Sequence, residues 1–324
     1  MAFVIYKPEW RSDYGKGEQT GLSTKRTNKI EWVNDNYGHC YSGQQLYKGR
    51  SKFQRMEIFQ HPTFGTLLFL DGKIQISERD ENRYHQYLVA APLLAHPNPK
   101  SICVVGGGDC FSLEEAVKHA SLKRILMIEI DKGVVDFCKA HYPVIQKVLK
   151  DKRIAVEYMD ARKWLEDNNE RFDVLVLDLT EPHGPSKMLY TREFYQICKQ
   201  RLTADGIVSI HTDNYVLFPD SFATIYKTLN SVFPHIQTAH VDMPCFGMGW
   251  TYRLASPKPI SLKRMAARTK AFAAKGFVLD QFTPSSFTME MTPEEARILK
   301  QHGRIATDAK PFDKFEKMQE KVTR

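Results

Sequence analysis

The run Ser101–Asp131, SICVVGGGDCFSLEEAVKHASLKRILMIEID, constrains this chain more than any other stretch. Ile102, Val104 and Val105 form a short β-branched run, the composition of a strand buried on both faces. Gly106, Gly107 and Gly108 follow at once, where the backbone must turn and let a ligand approach. Ser112 stands three residues before Glu115, a capping-box spacing that predicts a helix start there. A second apolar run, Arg124–Ile130, ends among acidic residues, Glu129 and Asp131. A carboxylate about 20 residues beyond a glycine turn, at the tip of the next strand, suits the hydroxyls of a ribose. GGGD is not the dinucleotide pattern G-x-G-x-x-G, and the absence of Lys-Ser/Thr after the glycines excludes a P-loop. A nucleoside site without a phosphate cradle remains, and an S-adenosyl ligand fits it.

The rest of the chain extends this unit. Residues 1–42 are polar and irregular and read as an extended arm. Residues 43–80 read as a small antiparallel β domain, in which Thr66–Leu70 and Lys73–Ser77 flank the hairpin dipeptide Asp71-Gly72. Arg83–His96 has the pattern of a helix, ended by Pro97 and Pro99. From there to about residue 260, strands near 154–158, 173–177 and 207–211 alternate with helices near 134–141, 162–168, 192–202 and 221–233, followed by strands near 236–241 and 251–255. This order predicts an α/β fold, a Rossmann-like, methyltransferase-type doubly wound sheet closed by an antiparallel pair. Residues 261–324 read as a helical extension, with Thr292-Pro293-Glu294-Glu295 a capped helix start. Ligands in such sheets sit beyond the carboxyl ends of the strands, where Asp109, Glu129, Asp131, Asp160 and Asp178 all fall.

Composition narrows the functional classes. No apolar run approaches the roughly 20 residues of a membrane span, and MAFVIYKPEWRSDYGKGEQ is charged too early for a signal peptide. The six cysteines contain no C-x-x-C pair, so reduced thiols in a cytoplasmic protein are expected rather than a disulfide framework or a zinc site. The formal net charge is +8, but the Lys and Arg residues are spread along the chain without a nucleic-acid motif, and we read them as a solvated surface. Against that basic field, Asp178-Leu-Thr-Glu181-Pro-His-Gly-Pro185 follows the strand FDVLVL and sets two carboxylates at the mouth of the sheet. Such a pair binds a cation and accepts a proton from an amine.

The segments LDGKIQISERDENRYHQYLVAAPLLAHPNPKSICVVGGGD, EID, MDAR, DLTEPHGP and LYTREFY, in this order, resemble the polyamine aminopropyltransferases, the spermidine, spermine and thermospermine synthases. The resemblance runs from Gln54 to Ser256 and continues more weakly into FTMEMTPEEARIL. Tyr84-His85, the DLT wording and LYT look closer to the thermospermine and bacterial long-polyamine or agmatine-using branch than to the animal spermidine synthases.

The resemblance implies decarboxylated S-adenosylmethionine as co-substrate, with no prosthetic group and no metal. It implies that Gly106 and Gly108 shape the donor turn and that Glu129 holds the ribose. Asp160 and Ala161 would meet the adenine, which would pack near Ile130 and Pro185, while Gln54 and Asp109 would hold the sulfonium tail and amine. Asp178 would deprotonate or orient the attacking amine, and Tyr84, His85, Glu181, His211 and Phe246 would line the acceptor site. The partners implied are a polyamine acceptor and further copies of the chain, in a homodimer or homotetramer, with neither nucleic acid nor membrane.

Three departures stand out. Cys110 replaces a glycine after GGGD, where a side chain would narrow the donor site or redirect the loop. Glu181 replaces an aspartate, and His211-Thr212-Asp213 stands where relatives carry a glutamine that helps bind the acceptor. They leave open a related S-adenosylmethionine-dependent polyamine N-methyltransferase, an enzyme transferring a larger or carboxylated group, and a non-catalytic polyamine-binding relative. Asp109 argues for aminopropyl transfer, because it suits the free amine of a decarboxylated donor and would repel the carboxylate of the intact one.

Overall fold

The computed structural model describes residues 26–34, 37–277, 279 and 281–314. An N-terminal antiparallel sheet is built in chain order from β1 (Thr27–Asn34), β2 (Tyr37–Arg50), β3 (Arg55–His61), β4 (Gly65–Leu70) and β5 (Lys73–Ser77). The polar arm expected over 1–42 is therefore corrected: Thr27–Asn34 is a full strand, and β2 begins before residue 43. The segment misled because its strands carry few apolar residues, and β1 is an edge paired on one side only. Residues 1–25 lie outside the described residues. The β4–β5 turn is as expected, with Asp71 and Gly72 both at positive φ (48° and 86°), the geometry of a two-residue hairpin.

A continuous helical stretch follows, Glu81–His85, a π-type turn at Gln86–Ala90, and Ala91–Ala95. The second sheet then comprises β6 (Ser101–Gly106), β7 (Arg124–Ile128), β8 (Ile154–Glu157), β9 (Phe172–Asp178), β10 (Leu202–Thr212), β11 (His235–Met243), β12 (Met248–Ser256) and β13 (Phe287–Thr288). Its spatial order is β13-β11-β12-β10-β9-β6-β7-β8. The five strands from β10 to β8 are parallel, and β12, β11 and β13 close the sheet antiparallel. The chain leaves β6 toward β7 and β8, then returns to the other side of β6 with β9 and β10. The carboxyl ends of β6 and β9 thus form the switch point where a doubly wound sheet opens a crevice.

The C-terminal region is not only helical. Helix Leu262–Ala273 packs on Ala91–Ala95, and the Arg264 guanidinium donates to the Ala95 carbonyl at 3.0 Å. β13 then extends the sheet, and helix Pro293–Gln301 starts with the expected capping box of Thr292 and Glu295. One apolar core joins Met56, Ile58, Leu68 and Ile76 of the N-terminal sheet to Leu88 of the helical stretch and to Val104 and Val176 of the larger sheet. That shared core sets the small sheet against the crevice.

Candidate active site

The glycine turn is shaped by β9. Gly106 pairs in register with Asp178, and a Cβ at Gly106 would lie 2.2 Å from the Asp178 carbonyl oxygen. Gly107 (φ 71°) donates its N–H to that carbonyl at 3.0 Å, and a Cβ there would meet Asp178 Oδ2 at 3.1 Å. The β6 turn approaches β9 this closely only because both residues are glycine.

The next turn corrects the expected helix start. The helix spans Phe111–Val117, and the residue before it, Cys110, sits at φ 68° without a side-chain capping bond. Asp109 Oδ1 accepts the Phe111 N–H at 3.0 Å instead. Ser112 is not a cap: its hydroxyl donates to Asp178 Oδ2 at 2.7 Å. Glu115 is buried against Lys118 at 2.8 Å. Cys110 does not narrow the site, because its side chain is fully buried in the main core. It holds a left-handed conformation at a cost of roughly 1–2 kcal/mol relative to glycine. Burial also pushes its thiol well above the ordinary range, which leaves no thiolate nucleophile.

Asp178 is held from both sides. Tyr84 donates its hydroxyl to Oδ1 at 3.3 Å while Ser112 holds Oδ2. Burial, then the charge of Asp178, pushes the Tyr84 hydroxyl far above its usual range, so it remains a donor. Behind this pair lies His85, expected among the acceptor-lining residues. It is instead 1 % exposed, so it does not meet a substrate in this structure. Its Nδ1 donates to the Glu81 carbonyl at 2.9 Å and lies 3.3 Å from the Glu81 carboxylate Oε1, and its Nε2 lies 4.0 Å from Asp109 Oδ1. Burial alone would lower the His85 pKa, but the bond to Glu81 and the charges of Asp109, Glu81 and Asp178 outweigh it and raise it to about 9. Burial, partly offset by His85 and reinforced by Asp178, raises the Asp109 carboxyl. His85, Asp109 and Asp178 bring ligand-type atoms within 4.8 Å of one another.

At the end of β7, burial raises the Glu129 pKa to about 7. Glu129 Oε1 accepts the Asp131 N–H at 2.7 Å, and a Cβ on Gly108 would lie 3.1 Å from Oε2. Asp131 caps helix Lys132–His141 and gathers the Ser51 hydroxyl at 2.5 Å and the Gln54 amide at 2.9 Å. Gln54 thus reaches the donor side of the crevice from the N-terminal domain. Asp160 caps helix Ala161–Asp167 through the Lys163 N–H at 3.1 Å. Ala161 is buried, whereas Ile130 is 48 % exposed. Pro185 lies on the short helix Gly184–Tyr190.

On the other side, aromatic rings enclose the mouth. Tyr84 lies 5.6 Å from His211 and 6.2 Å from Phe246, and Trp250 stacks on His211 at 5.8 Å. His211 is buried and bonds the Leu179 carbonyl through Nε2 at 2.7 Å, which requires the proton on Nε2. Its Nδ1 is then an acceptor with no hydrogen-bond partner among the described residues. Glu181 lies beyond, 3.9 Å from the Lys314 ammonium.

Sequence reasoning did not assign Ser112, Glu81, Asp213 or Lys314 to this site. The i, i+4 spacing of Glu81 and His85 was the one local signal available. The others come together only through strand pairing and the return of the tail.

Residues 81–264 match the spermine/spermidine synthase domain, and residues 30–78 match the spermidine synthase tetramerisation domain. The chain belongs to the spermine/spermidine synthase family. A polyamine aminopropyltransferase of Aquifex aeolicus is 34 % identical over 256 residues, which cover 77 % of this chain and 90 % of that protein. One from Thermococcus kodakarensis is 31 % identical over 243 residues, covering 73 % and 84 %. The spermidine synthase structure from Thermotoga maritima superimposes with a TM-score of 0.76 at 25 % identity, covering 90 % of this chain and 99 % of that one. A spermidine synthase in complex with the transition-state analogue AdoDATO gives 0.79 at 26 % identity, covering 88 % and 99 %. The family domain coincides with the larger sheet and its crevice, and the tetramerisation domain with β1–β5.

Proposed function

We propose that this protein transfers the aminopropyl group of decarboxylated S-adenosylmethionine to an amine of a di- or polyamine, releasing methylthioadenosine. The observation that carries the reading is Asp178, fixed by Tyr84 and Ser112 at the switch point beside Asp109. In the displacement, the amine nitrogen bonds to the aminopropyl carbon next to the sulfonium as the carbon–sulfur bond breaks. Sulfur leaves as a neutral thioether, and nitrogen loses a proton to Asp178 or to water it orients. Both Asp178 oxygens already accept hydrogen bonds, so the carboxylate is held in one orientation before the amine arrives, and alignment supplies much of the acceleration.

The donor side follows the same logic. Glu129 takes the ribose hydroxyls, Asp109 the donor ammonium, and the Gln54 carbonyl oxygen faces the sulfonium. The exposed Ile130 side chain covers one face of the adenine, with Asp160, Ala161 and Pro185 at its edge. The positive charge of His85 keeps Asp109 ionised despite burial, a supporting role rather than substrate contact. On the acceptor side, Tyr84, His211 and Phe246 enclose the methylene chain, His211 Nδ1 accepts from an amine N–H, and Glu181 takes the distal ammonium.

The assembly is a homotetramer built through the N-terminal sheet. Supporting this is the match of residues 30–78, together with Ile30 and Trp32 standing 56 % and 58 % exposed on edge strand β1. Light scattering reads it, and a dimer mass would overturn it. Among the described residues no helix is long and apolar enough to cross a membrane. All six cysteines are free thiols, which supports a cytoplasmic setting.

The test incubates the protein with intact or decarboxylated S-adenosylmethionine and a panel of di-, tri- and tetra-amines, with products read by mass spectrometry. Gain of one aminopropyl unit with release of methylthioadenosine is expected. Gain of a methyl group from the intact donor would replace the reading with N-methyl transfer.

A further inference from the structure

The family domain ends at residue 264, yet the chain after helix Pro293–Gln301 returns to the crevice. Asp308 anchors it, taking Arg162 in two bonds of 2.8 and 2.5 Å and the Thr191 hydroxyl at 2.7 Å. Asp313 then meets His183 Nδ1 at 2.9 Å, and the Lys314 N–H donates to the Pro182 carbonyl at 2.9 Å. The tail is thereby tied to the loop that carries Glu181. The Lys314 side chain is only 3 % exposed, and its ammonium lies 2.6 Å from Asp213 and 3.9 Å from Glu181. It also stands 3.8 Å from the centre of the Phe218 ring. An ammonium on an alkyl stem, set between two carboxylates and an aromatic face, has the chemistry of the end of a polyamine.

We propose that Lys314 determines acceptor length by occupying, from within the chain, the anionic position that the far ammonium of a triamine would take. The inference rests on the aminopropyl-transfer reading and on Glu181 facing the acceptor. A count of charges supports it. Lys314 is closest to Asp213, and both side chains are 3 % exposed, so they neutralise one another. Asp178 serves the attacking amine. Among the described residues Glu181 then remains for a distal ammonium, which matches a diamine, while a triamine brings one cation too many. The Tyr84-His85 and LYT wording leans toward the thermospermine and bacterial long-polyamine or agmatine-using branch; Lys314 points away from its longer acceptors.

The test compares putrescine with spermidine as acceptors in the wild-type protein, in Lys314→Met, and in the double variant Asp213→Asn/Lys314→Met, which leaves no unpaired buried carboxylate. Thermal melts establish folding first. The ratio of kcat/KM for spermidine over putrescine is expected to rise at least about tenfold in Lys314→Met, or in Lys314→Gln where the Met variant does not fold, because Asp213 is then free for a third ammonium, and to stay near the wild-type value in the double variant, which has lost that anion as well. The thermal midpoint of the single variant, with methylthioadenosine present, is expected to rise more with spermidine than that of the wild type or the double variant does. An unchanged ratio and unchanged protection in the folded single variant would overturn the role of Lys314. If the wild type extends no amine, the aminopropyl-transfer reading fails, and the thermal shifts still report on Lys314.

Discussion

Ser112, in the helix that follows the glycine turn, donates its hydroxyl to Asp178 at the end of β9, 2.7 Å from oxygen to oxygen, and this bond ties that helix to the proposed base. Tyr84 supplies the second bond at 3.3 Å from a different domain boundary. Asp178 is therefore oriented by two elements that meet only in the folded chain. Asp178→Asn is expected to lower kcat by roughly 10²–10⁴-fold. Donor affinity should stay within a few-fold of the wild type, because the contacts proposed for the donor lie at Glu129 and Asp109. Single-turnover transfer with calorimetric nucleoside binding measures both; near-normal turnover would remove Asp178 from the role of base.

Ser112→Ala and Tyr84→Phe each remove one of these bonds. A hydrogen bond to a charged group contributes about 1.5–3 kcal/mol, so each variant should lose roughly 10–100-fold in kcat. The two losses should not add in the double variant, since both act through one carboxylate. Steady-state kinetics on the three variants tests this, and full additivity would show that the two hydroxyls act independently.

The buried charges predict how stability changes with pH. Folding raises the His85 pKa from 6.5 to about 9, so its contribution is fully present below pH 6.5 and is lost as pH rises through 9. Glu129 is raised from 4.5 to about 7, so its contribution is present below pH 4.5 and is lost as pH rises through 7. Both act in the same direction, and His85 alone accounts for up to ~3 kcal/mol. The thermal midpoint of the ligand-free protein should fall between pH 6.5 and 9, and His85→Gln should flatten that fall. A midpoint that rises with pH across this window would contradict the Glu81–His85–Asp109 arrangement.

Acceptor binding should weaken with salt. In the proposed function Asp178 and Glu181 attract a cationic amine, and ions screen such attraction over about 10 Å at 0.1 M. The acceptor KM is expected to rise several-fold between 0.05 and 0.5 M salt, roughly, while kcat changes little. A KM insensitive to salt would mean that the aromatic enclosure, not charge, holds the acceptor.

Gly107→Ala tests the closeness of the turn. The new methyl would stand 3.0 Å from Val104 Cγ1 and 3.1 Å from Asp178 Oδ2, on a backbone with φ at 71°. The backbone alone costs roughly 1–2 kcal/mol. A lower urea midpoint and a larger loss of kcat than in Ser112→Ala are expected.

Much of this protein was legible before its structure. The β-branched run before Gly106, the Asp71-Gly72 turn and the Thr292 capping box are local signals, and each formed the element it announced. The carboxylates at 109, 129, 160 and 178 were placed by strand periodicity alone, because every parallel strand must end on the same side. Partnership was not legible. Ser112 reads as a cap in one dimension, yet it turns to Asp178, since the pairing of β6 with β9 brings an anion within 3 Å of it. His85 reads as an acceptor-lining residue beside Tyr84, yet the helix turns it inward onto Glu81 and Asp109. Lys314 reads as one more charge in a basic tail, and only the chain's return across the crevice makes it the partner of Asp213. Sequence by itself determined the order of elements and the chemistry available at their ends, because propensity and periodicity act over a few residues. Tertiary structure decided which of those groups meet, because burial, hydrogen bonding and charge depend on contacts between residues far apart in the chain.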